Sequence, residues 1–251
     1  MDTVSLLGTS FADLTLAAAR DWVLARGTAP DFAYVVTPNA DHLQRLRRVP
    51  RLRPVYAAAA LRLLDSRCLA YFARRLGLAV PGVVTGAGLT AALLPGLAGQ
   101  RVAVVGLRPA VLATLAARYR DITFLHHAPP MGLLRDPRAV LAARDFVLTA
   151  RAPYVFFALG SPVQELLAYA VWRHPEATGT GLCVGAGLEF AAGTKSRAPV
   201  WMRQAGLEWL YRFNEEPLRL GPRYLLDNPP LLLALLAAAR QKNAGNGTES
   251  H

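Results

Sequence analysis

Asp65 is the carboxylate of this chain best placed to do chemistry. It follows the apolar run ALRLL (60–64) and opens a segment of helical character. A carboxylate at that junction can cap the helix that follows, or it can face a cleft and act as a base. Both readings stand on these residues alone. Thr37-Pro38-Asn39 follows a second apolar run, FAYVV (32–36), and so falls at the same edge of the same expected sheet. Pro38 disfavours helix at Thr37. Thr37 and Asn39 carry side chains that can orient a sugar hydroxyl, or simply form a turn and cap. Gln164 lies early in the helical segment behind YVFFALGSP and faces that edge if the turn is tight. Glu189, behind Gly185-Ala186-Gly187, is either a carboxylate for ribose hydroxyls or a loop residue or cap.

Three glycine-bearing turns also follow apolar runs: Thr85-Gly86-Ala87-Gly88, Gly106-Leu107-Arg108-Pro109 and Gly160-Ser161-Pro162. Glycine lets backbone approach a ligand, and a helix N-terminus offers amide donors to an anion. Taken alone, these turns say only that the protein binds something anionic. No complete GxGxxG, P-loop, DxD, HExxH, CxxC or GxSxG occurs. His126-His127 has no carboxylate at ligand spacing, so no metal and no cofactor is expected.

The elements that must carry these residues are readable from hydrophobic runs. FAYVV, ALRLL, VPGVV (80–84), VAVVG (102–106), ITFLH (122–126), YVFFAL (154–159) and GLCVG (181–185) read as strands. Apart from Arg62 they are continuously apolar, as strands covered on both faces should be. Helical segments lie between most of them, at about 39–48, 66–76, 87–97, 109–118, 136–144 and 162–172. Alternation of this kind predicts an α/β, Rossmann-like, mostly parallel sheet with helices on both faces and ligands at the strands' carboxyl ends. Residues 1–195 form the expected core. Residues 196–240 read as a helical appendage broken by Pro217, Pro222, Pro229 and Pro230, with aromatic and arginine residues suited to a membrane interface or a docking face. Residues 241–251 are polar and expected to be a disordered tail.

Composition bounds the partners. The 251 residues carry 28 Lys and Arg against 17 Asp and Glu, a formal charge of +11, and 53% are hydrophobic. That excludes general disorder. The run Arg45, Arg47, Arg48, Arg51, Arg53 lacks interleaved aromatics and reads as a solvated helix face, so no nucleic acid partner is expected. An anionic membrane surface or a diphosphate substrate accounts for the excess charge. Two cysteines fit a reducing cytoplasm. The N-terminus carries Asp2 and Asp13 where a signal peptide needs basic and apolar residues. The uncharged stretch from Leu76 to Gly99 is interrupted by glycine and proline, and is read as strand, turn and helix rather than a membrane span.

TPNADHL (37–43), the strand ending in Asp65, VVTGAGL (83–89), VAVVGLRP (102–109), FALGSPVQE (157–165), VGAGLEFAAGTKSRAPVWMRQAGLEWLYRFNEEP (184–217) and RYLLDNPP (223–230) occur in that order. Together they resemble the WecG/TagA/CpsF family of bacterial glycosyltransferases, over roughly residues 30–235. The resemblance implies transfer of a hexose or N-acetylhexosamine from a UDP-sugar to a polyprenyl-diphosphate-linked saccharide. It implies inversion, no metal, and a peripheral location on the inner face of the cytoplasmic membrane, in surface or exopolysaccharide assembly.

By the same resemblance, the base is Asp65, with Thr37, Asn39 and Gln164 beside it. Gly86, Gly106, Gly160, Gln164, Gly185 and Glu189 would hold the nucleotide sugar. Arg212, Arg219 and Arg223 of the appendage would meet the acceptor diphosphate. The chain departs from the family text at Val83 and Gly88, where arginine and aspartate are usual, and at Leu188-Glu189-Phe190, where FDF is usual. Two other readings are a catalytically altered member serving a membrane-associated assembly complex, and a Rossmann-type enzyme using a nucleotide cofactor. Self-association into a homo-oligomer is left open.

Overall fold

In the computed structural model, which describes residues 1–196, 198–199, 202, 211 and 228–247, the apolar runs form one six-stranded sheet. Its strands are β3 (Phe32–Val36), β4 (Leu61–Arg62), β5 (Arg101–Gly106), β6 (Thr123–His127), β7 (Tyr154–Ala158) and β8 (Gly179–Cys183). They lie in the order β4-β3-β8-β7-β5-β6, and every pairing is parallel. A separate antiparallel hairpin, β1 (Thr3–Leu6) and β2 (Thr9–Ala12), precedes them. That hairpin and helix α1 (Leu16–Ala25) lie outside the elements expected from the sequence.

Both faces of the sheet are covered, which is why the strands read as unbroken apolar runs. Successive residues of one strand feed two different cores. Phe32, Tyr34 and Val36 of β3 join one, while Val35 joins the other; Ala103 and Val105 of β5 join the first, and Val102 and Val104 the second. Helices α2 (Ala40–Arg48), α3 (Arg53–Ala57), α4 (Arg67–Arg75), α7 (Pro137–Ala150) and α8 (Val163–Trp172) bury residues in the first core. Helices α1, α5 (Gly86–Leu93), α6 (Pro109–Arg118) and α9 (Gly187–Ala192) do so in the second. The architecture is therefore the α/β Rossmann-like one.

Two expected strands shrink, and chemistry explains the second. ALRLL keeps only Leu61 and Arg62 in the ladder, and VPGVV contributes a single parallel bridge, Val83 to Leu64. Pro81 has no N–H to give a neighbour. The N–H of Gly82 goes instead to the Asp13 carboxylate, at 2.8 Å. The stretch from Leu76 to Gly99 thus folds as a loop, a bridge, α5 and a 3₁₀ turn (Leu94–Leu97). Helix α7 runs to Ala150, beyond the expected 144, because nothing in RDFVLTA breaks it.

The C-terminal helix spans Asn228–Gly247 and packs on α2. Leu231 and Leu235, one turn apart, are buried in the first core, whereas Leu232 and Leu233 are exposed. Residues 241–247, expected to belong to a disordered tail, continue this helix. Among the described residues no helix is long and apolar enough to cross a membrane.

Candidate active site

The carboxyl ends of β4, β3, β8 and β7 open into a cleft of about 120 Å³. Thr37 and Asn39 enter it from the end of β3, Asp65 from beyond β4, Gln164 from the first turn of α8, and Gly185 from beyond β8. This is the edge where ligands bind in open parallel sheets. The chain reverses here: β3 leads outward to β4, while β8, the last strand, returns to β3's other side.

Asp65 is brought to the cleft by extension of the β3–β4 pairing. Leu63 donates its N–H to the Val36 carbonyl at 3.0 Å, and Asp65 donates its own to the Pro38 carbonyl at 2.9 Å. The side chain is not the cap of α4; Ser66 is, its hydroxyl accepting from the Leu69 N–H at 3.2 Å. Asp65 Oδ2 instead accepts the N–H of Gly86 at 2.9 Å, at the start of α5. The carboxylate is half-buried, so one end is tethered while the residue still lines the cleft. Gly86 must be glycine: a Cβ there would lie 2.8 Å from the Val184 carbonyl oxygen and 2.9 Å from Thr37 Oγ1.

Thr37 is buried and its hydroxyl donates to the Cys183 carbonyl at 3.2 Å, tying β3 to β8 at the cleft floor. Asn39 does form the cap that its position allowed. Its Oδ1 accepts the His42 N–H at 3.2 Å, and its own N–H donates to His42 Nδ1 at 3.0 Å, a reciprocal capping box. With Oδ1 committed to the cap, a ligand would meet the Nδ2 end.

Beneath the cleft lies a buried polar layer. Gln164 and Glu165 are 2% and 1% exposed, and Gln164 Nε2 donates to Glu165 Oε1 at 2.8 Å. The same oxygen is 3.6 Å from His42 Nε2. Arg45 Nη1 donates to Ser161 Oγ at 2.7 Å, and the Tyr56 hydroxyl is 3.4 Å from that oxygen. Burial, with Arg45 nearby, pushes the His42 imidazole down to about 3, so it is neutral in any ordinary buffer. Burial raises the Glu165 carboxyl above its usual range, and raises the Tyr56 phenol likewise.

Five of the expected site residues therefore meet in one cleft: Asp65, Thr37, Asn39, Gln164 and Gly185. Gly86 touches it through its N–H to Asp65. Gly160 lies just behind Ser161, its carbonyl accepting the Gln164 N–H at 3.0 Å. Glu189 does not line the cleft; its neighbour Phe190 does. Gly106 is at the end of β5, beyond β7, with a φ of +88° and the Ala158 carbonyl where a Cβ would go. Arg212, Arg219 and Arg223 lie outside the described residues.

His42, Thr85, Ser161 and Phe190 line the cleft without having been singled out from sequence. Thr85 and Ser161 sit inside turns flagged for their glycines. His42 is the third residue of α2, and only its place three residues after Asn39 could have marked it. Among the described residues no group of three His, Cys, Asp or Glu side chains could hold a metal ion.

Comparison with known proteins bears on this cleft. An N-acetylglucosaminyldiphosphoundecaprenol N-acetyl-beta-D-mannosaminyltransferase of Staphylococcus aureus (strain MW2) is 32% identical over 128 residues, covering 51% of this chain and 47% of that protein. The match thus takes in about half of each protein. The sequence model of the "Glycosyl transferase WecG/TagA/CpsF family" matches residues 4–245, nearly the whole length. The chain belongs to the WecG/TagA/CpsF family of glycosyltransferases.

Proposed function

We propose that this glycosyltransferase moves a hexose or N-acetylhexosamine from a UDP-sugar to a saccharide carried on a polyprenyl diphosphate, with inversion at the anomeric carbon and without a metal. The observation that carries the reading is the Asp65 carboxylate, tethered by Gly86 at the edge of a cleft that it shares with Thr37, Asn39 and Gln164. An acceptor hydroxyl attacks the anomeric carbon from the face opposite UDP. The new C–O bond forms as the bond to the β-phosphate oxygen breaks. Its electron pair leaves with UDP, and Asp65 takes the hydroxyl proton. Thr37, Asn39 and Gln164 orient the sugars; Gly86, Gly160 and Gly185 bring backbone close to the donor.

Charge builds on the departing diphosphate, and cations must stabilise it. Glycine-turn amides and arginines do that work, while by family pattern Arg212, Arg219 and Arg223 meet the acceptor diphosphate. Val83 stands where the family has arginine, and its backbone here bridges Leu64. Gly88 stands where the family has aspartate, in the first turn of α5, its N–H donating to Thr85 Oγ1 at 3.0 Å. Both departures lie beside the cleft, so the donor sugar is to be found by assay rather than carried over from the relative.

The test is a panel of UDP-sugars with a lipid-diphosphate acceptor analogue, run with the wild type and Asp65→Asn. The wild type should turn over one donor, and the variant should be slower by about 10²–10⁴-fold while still binding UDP. Near-normal turnover by the variant would remove Asp65 from the role. With net charge +11, the full chain should also sediment with anionic vesicles, each basic residue near the surface adding about 1 kcal/mol; equal sedimentation with neutral vesicles would contradict a charge-driven membrane location.

A further inference from the structure

Glu165 is a carboxyl group that the reaction above does not use, yet it is among the most deeply buried polar side chains described, 1% exposed. It cannot reach a substrate. What it does reach is the amide of Gln164: its Oε1 accepts from Gln164 Nε2 at 2.8 Å. An amide group has one donor end and one acceptor end. Because the donor end is committed to Glu165, the acceptor end, Gln164 Oε1, is turned the other way. That oxygen is buried, has no hydrogen-bond partner among the described residues, and belongs to a side chain that lines the cleft. Leaving such an atom unpaired costs stability unless something else supplies the donor.

The orientation is the same for the carboxylate and for the acid protonated on Oε2. As a carboxylate, both its oxygens accept. As an acid protonated on Oε2, its Oε1 is still a carbonyl acceptor. The surroundings hold it in place. Oε1 lies 3.6 Å from His42 Nε2, too far for a hydrogen bond but within reach of the same polar layer, and Arg45, bonded to Ser161 Oγ, adds positive charge nearby. Were the amide reversed against either of these forms, Gln164 would present its oxygen to Glu165 Oε1, acceptor against acceptor, and an NH₂ group to the cleft.

Resting on the reading of this cleft as the site of sugar transfer, we infer that Glu165 is a positioning residue. It fixes the Gln164 amide so that Oε1 faces the substrate, and the substrate group bound there is a hydrogen-bond donor, a sugar hydroxyl or an amide N–H. The site thereby selects a donor at that position and rejects a substrate that offers only an acceptor or nothing. Discrimination of this kind is strong when a buried acceptor would otherwise go unpaired.

The experiment compares Glu165→Leu and Glu165→Gln in the full chain, each in the wild-type and Gln164→Ala backgrounds, using the UDP-sugar and acceptor analogue that the wild type turns over. Leucine fills the space with no acceptor, and replacing a buried charged group by an apolar one is often tolerated. The expected result is a fall of about ten-fold in kcat for Glu165→Leu, with KM little changed and the melting temperature held. In the Gln164→Ala background the same substitution should cost nothing further, because Glu165 acts through Gln164. Glu165→Gln, whose carbonyl still accepts from Gln164, should recover most of the loss. An additive loss in the Gln164→Ala background, or an unchanged kcat for Glu165→Leu, overturns the inference.

A second measurement needs no change at Glu165. In a panel of substrates each lacking one hydroxyl or amide N–H, one member should be poorer with the wild type and no poorer with Gln164→Ala. If no member behaves so, Gln164 Oε1 meets no donor and the inference fails. The two levels separate: full turnover by both Asp65→Asn and Gln164→Ala would sink the cleft as the transfer site, whereas large losses in those two and none in Glu165→Leu would sink only the role of Glu165.

Discussion

The carboxyl edge of the sheet carries two glycine turns of similar look, and they do opposite things. At one, Gly86 leaves room for Thr37 and the Val184 carbonyl, and gives its N–H to Asp65. At the other, the space beside Gly106 is filled by the Ala158 carbonyl of the neighbouring strand, and the Gly106 carbonyl accepts from His126 Nε2 at 2.8 Å. The first turn hands its glycine to a cleft; the second hands it to the sheet's own closure. The lesson is that a glycine after a strand marks a close approach without saying what approaches. The polar residues on adjacent strands decide that, and those that line the cleft lie over β4, β3, β8 and β7.

The largest effect expected from this contrast is at Asp65, where the loss of about 10²–10⁴-fold in Asp65→Asn has no counterpart at the β5–β6 edge. Next come the two glycines themselves. Gly106→Ala puts a Cβ 2.5 Å from the Ala158 carbonyl oxygen at a φ of +88°. It should lower the stability by about 3 kcal/mol, read as a shifted denaturation midpoint, with turnover of the folded protein kept. Gly86→Ala pushes on Thr37 and on the backbone that tethers Asp65, and should cut turnover by about ten-fold or more. If Gly106→Ala instead spares stability and removes activity, the two turns are equivalent and the contrast fails.

Most of the architecture was legible because covered parallel strands leave continuous apolar runs, and these are hard to mistake. The failures are local. Pro81 within VPGVV was a readable warning against a strand; the tie from Gly82 to Asp13, which helps reduce the run to one bridge, was not. The site was legible where a residue follows a strand directly, as Thr37 and Asp65 do. Placement through a helix was legible in the first turn of α8, where Gln164 lines the cleft as expected, but not in α9. Glu189 was expected and Phe190 lines the cleft, a difference of one position in α9 that periodicity over six residues cannot fix. Glu165 escaped notice for the opposite reason: beside Gln164 it reads as an ordinary first-turn carboxylate, and only burial shows that it is not solvated.

The buried layer under the cleft gives a stronger pH signature than the other edge, where partial burial and the neighbouring His126 also lower His127. His42 is held at about 3, against an ordinary 6.5 in the unfolded chain. The unfolded chain takes up that proton first, so the stability is complete above about pH 6.5 and declines as the pH falls toward 3, by about 1.4 kcal/mol per pH unit. Glu165 slopes the other way: its carboxyl is raised above 4.5 in the fold, so its contribution is present at low pH and is lost as the pH rises. The two oppose each other in mildly acidic buffer. The comparison to make is therefore with His42→Gln, since glutamine at this position of a capping box keeps the bond to the Asn39 N–H. The variant should lose less stability than the wild type between pH 7 and pH 5. Parallel curves would mean that His42 is open to solvent.

The smallest effect belongs to His126, and it tests the contrast from the quiet side. His126 Nε2 is 2.8 Å from the Gly106 carbonyl and 3.3 Å from that of Leu107, so the ring closes the β5 turn from the adjacent strand. A single neutral bond of this sort is worth about 1 kcal/mol. His126→Ala should cost that much in a denaturant titration and leave kcat and KM for the proposed UDP-sugar donor where they were. Were kcat to fall while the stability held, the β5–β6 edge would be touching the donor, and Gly106 would return as a nucleotide contact beside the cleft rather than as a joint in the sheet.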